Sequence, residues 1–363
     1  MRQLRKVIAR ILCVSALLTT GLVATDTAAR AAVPNRWGFA YVDVPNGIPN
    51  LAHQAGSWPA AFNVSVATPP GGVTLVRFPQ IATNGGVAHV TAVSDGPHWC
   101  QTLWWGPSGP DQFVAVRCYR YGGAPVTIPF TVVFEESSGV LPAPQAFGYV
   151  HYSGAAIATQ FNSAGGPPNV VAPGPPGIWT VTLPGLGSPG RSGGVQVTAR
   201  DPAQPARCKV GGWASIPGAQ VVQVRCHNAL NVPLNTGWSL TYQRERAITG
   251  AAIPPKNFAY TFDHSPASAG PYSPLPPAVN HNSQGSLNTV QTAGAGLRLV
   301  IFPRVGVLPD HVQVTAFGAG PEYCNLLTLW GTGGLTATVR DVVCYNAVTR
   351  VNQRSLTSYT SAF

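Results

Sequence analysis

Two short runs set the pattern of the chain. In QVVQVRC (220–226), Val222, Val224 and Cys226 alternate with Gln223 and Arg225; in FVAVRC (113–118), Val114, Val116 and Cys118 alternate with Ala115 and Arg117. A period of two places one set on the apolar face of a strand and the other on its opposite face. Six to eight such runs per hundred residues are separated by Gly, Pro and Asn turns, and no stretch sustains a helical period. The pattern predicts an all-β protein of antiparallel β-sandwiches, immunoglobulin-like or jelly-roll.

The runs recur in one order, three times. FAYV (39–42), FGYV (147–150) and FAYT (258–261) open the units. VRFPQI (76–81), VTLPGL (181–186) and VIFPRV (300–305) follow, then AHVTA (88–92), VQVTA (195–199) and VQVTA (312–316). A cysteine-bounded hairpin comes next, and FTVVF (130–134) and WSLTY (238–242) close the first two units; the third is expected to close within SLTSYTSAF (355–363). The units span 37–136, 146–246 and 257–363, each the size of a domain and too long for a solenoid repeat. SSGVLPAPQ (137–145) and AITGAAIPPK (247–256), rich in small residues and Pro, read as linkers.

The hairpins carry six cysteines, with separations of 18, 18 and 20. In each, the second cysteine ends the apolar row and the first lies one turn away. The expected bonds are Cys100–Cys118, Cys208–Cys226 and Cys324–Cys344, since regularly spaced cysteines of an exported chain pair. Zinc-binding cysteines come as pairs two to four residues apart, a spacing these lack. Each bond closes a loop worth about 3 kcal/mol by chain entropy. In the third hairpin, two extra residues and Arg340 in the apolar row predict a bulge before Cys344.

The N-terminus places the chain outside the cell. Arg2, Arg5, Lys6 and Arg10 precede an apolar stretch from Ile11 to about Ala24, and Ala29-Arg30-Ala31 offers a cleavage site, so residues 1–31 read as a signal peptide. The apolar run, which includes Cys13, is shorter than the roughly 20 residues of a spanning helix, and no later stretch is longer, so no membrane span is expected after its removal. The leader carries five basic residues and one acid, so the net charge falls from +10 to +6 without it. The remaining arginines are scattered rather than clustered, which argues against nucleic acid as a partner. Gly (40) and Pro (35) are abundant, but 45% hydrophobic residues favour strands and turns over disorder.

Candidate chemistry is sparse. GRSGG (190–194) matches the serine-hydrolase motif with Ser192 as nucleophile, but a strand rather than a helix follows it, so it reads as a turn. No two of the eight histidines have close metal-ligand spacing; His89 aligns with Gln196 and Gln313 and reads as an outward-facing polar position. No pair among the few acids repeats, and neither a catalytic residue nor a cofactor or metal site is expected. Trp105, Trp213 and Trp330 recur at matched positions and read as framework packed on the disulfide. Trp58, Trp104 and Trp179 do not recur, and are the candidates for stacking on a ligand such as a sugar ring.

The set Phe-[Ala/Gly]-Tyr, Val-x-Val-Thr-Ala, Cys-x4–5-Trp and Val-x-Val-x-Cys resembles repeats in secreted proteins of actinomycetes, over nearly all of the chain after the leader. The resemblance implies export and a β-rich unit, and brings no activity or catalytic residue with it. The function expected is therefore a secreted, non-catalytic binding or scaffolding role, its partner a polysaccharide, a cell-envelope component or another extracellular protein. A carbohydrate-binding array and a secreted hydrolase are the alternatives.

Overall fold

Each repeat is built around its cysteine hairpin. In this computed structural model, which describes residues 35–137, 139–251 and 256–363, the cysteines face each other directly across paired strands and form the bonds Cys100–Cys118, Cys208–Cys226 and Cys324–Cys344. The leader read over residues 1–31 and part of the second linker, 252–255, lie outside the described residues.

The first repeat comprises β1 (Arg36–Val42), β2 (Gln54–Gly56), β3 (Ser65–Ala67), β4 (Thr74–Phe78), β5 (Val87–Ala92), β6 (His98–Ser108), β7 (Asp111–Arg120), the two-residue β8 (Pro125–Val126) and β9 (Phe130–Glu136). The second holds β10 (Ala146–Tyr152), β11 (Ile157–Asn162), β12 (Val170–Pro173), β13 (Ile178–Pro184), β14 (Gly194–Arg200), β15 (Ala206–Ile216), β16 (Ala219–Asn228) and β17 (Gly237–Arg244). The third holds β18 (Phe258–Asp263), β19 (Asn280–Asn282), β20 (Thr289–Gly294), β21 (Leu297–Phe302), β22 (Asp310–Ala316), β23 (Tyr323–Leu326), β24 (Gly331–Gly333), β25 (Thr336–Asn346), β26 (Thr349–Arg350) and β27 (Ser355–Ser361).

Every repeat is a sandwich of two antiparallel sheets. The inner sheets run β2-β1-β9-β5, β11-β10-β17-β14 and β19-β18-β27-β22; the outer ones run β3-β4-β7-β6, β12-β13-β16-β15 and β20-β21-β25-β23. The first and last strands of a repeat pair at the centre of its inner sheet. Val, Phe and the disulfide fill each sandwich: Val76, Phe78, Val90, Val114, Val116 and Cys118 in the first, for example. The bulge expected before Cys344 is present: Arg298 pairs with Val342 and Val300 with Val339, so Arg340 and Asp341 together stand opposite Leu299, one residue in excess.

Burial separates the two sheets. Outer strand β13 alternates between buried and half-buried residues, whereas inner strands β5 and β22 are buried at every position. The second face of each inner sheet is therefore covered, and what covers it is the other repeats. Thr102 of β6 forms a parallel bridge to Arg200 at the end of β14. Val210 bridges in parallel to Phe317, and Leu326 to Val93. These are equivalent positions, two residues after the first cysteine and one after Val-Thr-Ala. Backbone bonds repeat the pattern: Asp201 N–H donates to Thr102 O (3.1 Å), Gly318 N–H to Val210 O (2.9 Å) and Ser94 N–H to Leu326 O (2.7 Å). Repeat one grips two, two grips three, and three grips one. Such a head-to-tail contact closes a pseudo-threefold ring, and the described residues accordingly form one compact unit.

The ring corrects two readings of the sequence and extends a third, since the recurring tryptophans do pack with the disulfide cysteines of their own sandwiches as expected. First, the opening strands align two residues away from the FAYV match. Thr91, Thr198 and Thr315 pair with Thr131, Ser239 and Leu356, which pair with Tyr41, His151 and Phe262. Phe39 of the first unit therefore corresponds to Tyr149, and Gly38 to Gly148. Both glycines sit where a Cβ would collide, 2.4 Å from Trp58 and 2.9 Å from Leu186. Second, the recurring tryptophans reach across the joints. Trp105 packs on His151 (4.2 Å between ring centres), Trp213 on Phe262 (4.8 Å) and Trp330 on Tyr41 (6.1 Å), the equivalent residue of the next repeat each time. Third, the second linker is no free tether, because Ile248 and Ala251 are buried with Trp37 and Phe39 of the first repeat and Ala362 of the third.

A shared interface of this kind makes the repeats unfold together. Urea denaturation is expected to show one cooperative transition, with Trp213→Ala costing about 3–5 kcal/mol as a buried Trp deletion and exposed Trp104→Ala about 1 kcal/mol or less. Three separate transitions would contradict the ring.

Candidate functional site

The three candidate stacking residues fall in different environments. Trp179 is 3% exposed and belongs to the core of the second sandwich, against Tyr152 and Trp238, so it is framework and no ligand platform. Trp104 is 41% exposed on the outer face of β6, opposite Ala115. Trp58 is half-buried: its ring lies over Gly38, Gly56 and Phe78, and its Nε1–H donates to Phe62 O (3.0 Å). Trp58 also borders a groove of about 410 Å³ with Trp37, Leu51, Phe62, Asn63 and Phe363. Leu51, Phe62 and Phe363 are exposed there, so the groove presents apolar edges to solvent. Trp58 and Trp104 thus do not share a platform.

Ser192 is buried, its Oγ hydrogen-bonded to Ser188 Oγ and Tyr242 OH, in the bend before β14. These partners are hydroxyls, and neither can take up a proton as a base does.

The chemistry-bearing side chains that alternation had turned outward converge where the inner sheets meet. His89, Gln196 and Gln313 are all buried. His89 Nδ1 contacts Thr198 Oγ1 (3.1 Å) and its Nε2 contacts Thr241 Oγ1 (2.8 Å), joining the first repeat to the second. Thr241 Oγ1–H donates to Glu135 Oε1 (2.7 Å). Thr91 Oγ1–H donates to Gln313 Oε1 (2.6 Å), and Gln313 Nε2–H to Thr131 Oγ1 (3.1 Å), joining the first to the third. At the same joint Asp310 is sealed in: His53 Nδ1 (2.6 Å), Trp330 Nε1 (2.8 Å) and Tyr359 OH (2.9 Å) all reach its carboxylate. His53 comes from the first repeat and Asp310 from the third, 257 residues apart, so no local signal announced the pair.

One end of this axis holds a cavity of about 50 Å³. The three Val-Thr-Ala segments and the first cysteine of every hairpin line it, with Arg207, Lys209, His227 and Glu322. The residue before each first cysteine, Trp99, Arg207 or Tyr323, meets its counterparts there. The Arg207 guanidinium lies over both rings, 4.7 Å from the Trp99 centre and 4.3 Å from that of Tyr323. Lys209, 3% exposed, donates from Nζ to Glu322 Oε2 (3.0 Å) across the second joint. Burial pulls the Lys209 ammonium down to about 8, with Glu322 opposing the shift. Sequence reading missed Arg207 and Lys209 because each is a lone cation on a strand. Their positions flanking Cys208 were the available signal.

No protein-family model matches the chain, nor does any curated protein or solved structure. Among the described residues, no helix is long and apolar enough to cross a membrane, and no three His, Cys, Asp or Glu side chains cluster as metal ligands.

Burial also fixes how the fold responds to acid. Loss of solvation pushes His89 and His311 down to about 3, and His151, His227 and His281 to about 4. Below the unfolded value near 6.5 the unfolded chain binds protons that the native one refuses, so stability falls as pH drops from about 6.5. Glu135 and Asp341, raised by burial, act in the opposite sense but are outnumbered. The urea midpoint is expected to be lower at pH 5 than at pH 7. His89→Gln, which installs the residue found at both equivalent positions, is expected to flatten that slope by about one proton; an unchanged slope would show that His89 does not stay neutral.

Proposed function

We propose that this protein is secreted and non-catalytic, and works outside the cell as a rigid binding or scaffolding body. One observation carries the reading. Several side chains suited to proton transfer or nucleophilic attack, His53, His89, Glu135, Ser192 and Asp310, are buried, and their hydrogen bonds are spent within the fold. What the ring offers to a partner is its outer surface. The basic, then apolar leader and three disulfides support export to an oxidising compartment.

The groove beside Trp58 is the surface best shaped to bind. It combines two aromatic rings, Trp58 and Phe62, with the amide of Asn63 at its edge. That mixture of flat apolar faces and a hydrogen-bonding group favours a polysaccharide as the ligand class. The test is retention of the leaderless protein on insoluble cell-wall and plant polysaccharides. Phe62→Ala, at a side chain 41% exposed, is expected to lower retention at least tenfold while Trp104→Ala leaves it unchanged. The reverse order would move the binding face to the outer sheet of the first repeat. Release of soluble sugar during the incubation would overturn the non-catalytic reading.

A further inference from the structure

Only 9% of the chain is charged, yet one end of the axis gathers Arg207, Lys209, Arg225, His227 and a single carboxylate, Glu322. Glu322 is already engaged by Lys209. Arg207, 5% exposed, has no carboxylate partner. Its flat faces are occupied by Trp99 and Tyr323, which leaves only its N–H edge for hydrogen bonding. On that edge Nη2 donates to Asn228 O (3.1 Å) and to Asn231 Oδ1, while Nε and Nη1 are buried with no hydrogen-bond partner. Burial lowers the guanidinium to about 10, so it stays charged at neutral pH. A buried cation with two idle donors is costly unless a counter-charge meets it.

We propose that the cavity on the pseudo-threefold axis binds a small anion, held by the idle donors of Arg207 and the ammonium of Lys209. The 50 Å³ space has room for about four atoms of water size, by the usual requirement for one buried water. A halide, a small oxyanion or a short carboxylate fits; a sugar acid does not. Lys209 keeps two N–H donors beyond the one given to Glu322. Arg225 adds positive charge nearby, so the cations outnumber the one carboxylate. The anion would sit where the three repeats meet and would bind the closed ring in preference to the unfolded chain, stabilising it by linkage. This site is separate from the groove at Trp58, and either can fail without the other.

The experiment is thermal unfolding of the leaderless protein in chloride, phosphate or acetate, each against gluconate at equal ionic strength. Gluconate is too large for the cavity and serves as the control anion. At least one small anion is expected to raise the midpoint by a few degrees and to saturate, and which one acts identifies the class. Arg207→Gln is expected to abolish the rise and Arg207→Lys to keep part of it. Equal midpoints in all four salts would overturn the proposal, as would a rise that survives Arg207→Gln. If that variant does not fold, crystals of the unaltered protein soaked separately in bromide, selenate and bromoacetate decide: an anomalous peak beside Arg207 in any of them supports the site, and its absence from all three removes it.

Discussion

The structure depends on one joint made three times. The strand after each first cysteine pairs in parallel with the end of the next repeat's Val-Thr-Ala strand, and a tryptophan five or six residues after that cysteine packs on the next repeat's opening strand. Either contact alone would leave the second face of an inner sheet partly exposed. Together, and closed into a ring, they let inner strands be buried on both faces, a property usually found where helices cover a sheet. The disulfides sit at the root of this device. Each fixes the hairpin whose first strand makes the joint, and so acts on contacts between repeats as well as on the core beneath it.

Closing a ring within one chain has a chemical consequence. In a symmetric trimer every axial residue appears three times, and three arginines meeting on an axis would repel one another. Here each repeat contributes a different side chain. Arg207 stands between Trp99 and Tyr323, and His89 shares its level with Gln196 and Gln313. The Thr of Val-Thr-Ala, small and able both to donate and to accept, is kept in all three repeats. The polar axis thus brings together unlike side chains, of which His89, Thr91, Thr198, Thr241 and Gln313 bond one another across the joints while Gln196 and two nitrogens of Arg207 stay unpartnered.

Function is read from what the joints leave over. His53, His89, Glu135 and Asp310 are, in their places, hydrogen-bonding struts between repeats. The surface that remains is sheet and turn, with an apolar groove at the joint of the first and third repeats and a cationic cavity at the axis. A rigid, multiply bridged body is suited to recognition, because little ordering entropy is lost when it binds.

The sequence by itself determined the local half of this architecture. Period-two alternation and turn residues define strands, and the recurrence of five blocks defines three sandwiches. Cysteine spacing defines the hairpin bonds, because register within a hairpin is set by its own turn. Two extra residues before Cys344 were enough to place a bulge. The other half belongs to contacts between repeats. Alternation shows that a strand has two faces but not what covers the second, so His89, Gln196 and Gln313 read as surface when they are interior. Trp37-Gly38-Phe39-Ala40-Tyr41 alternates aromatic and small residues throughout, so a match by residue type slid by two positions, and only pairing with the last strand of the repeat fixed the register. Arg207 and Asp310 gained their roles from partners more than a hundred residues distant, brought near by ring closure, and such a meeting leaves no trace in local spacing.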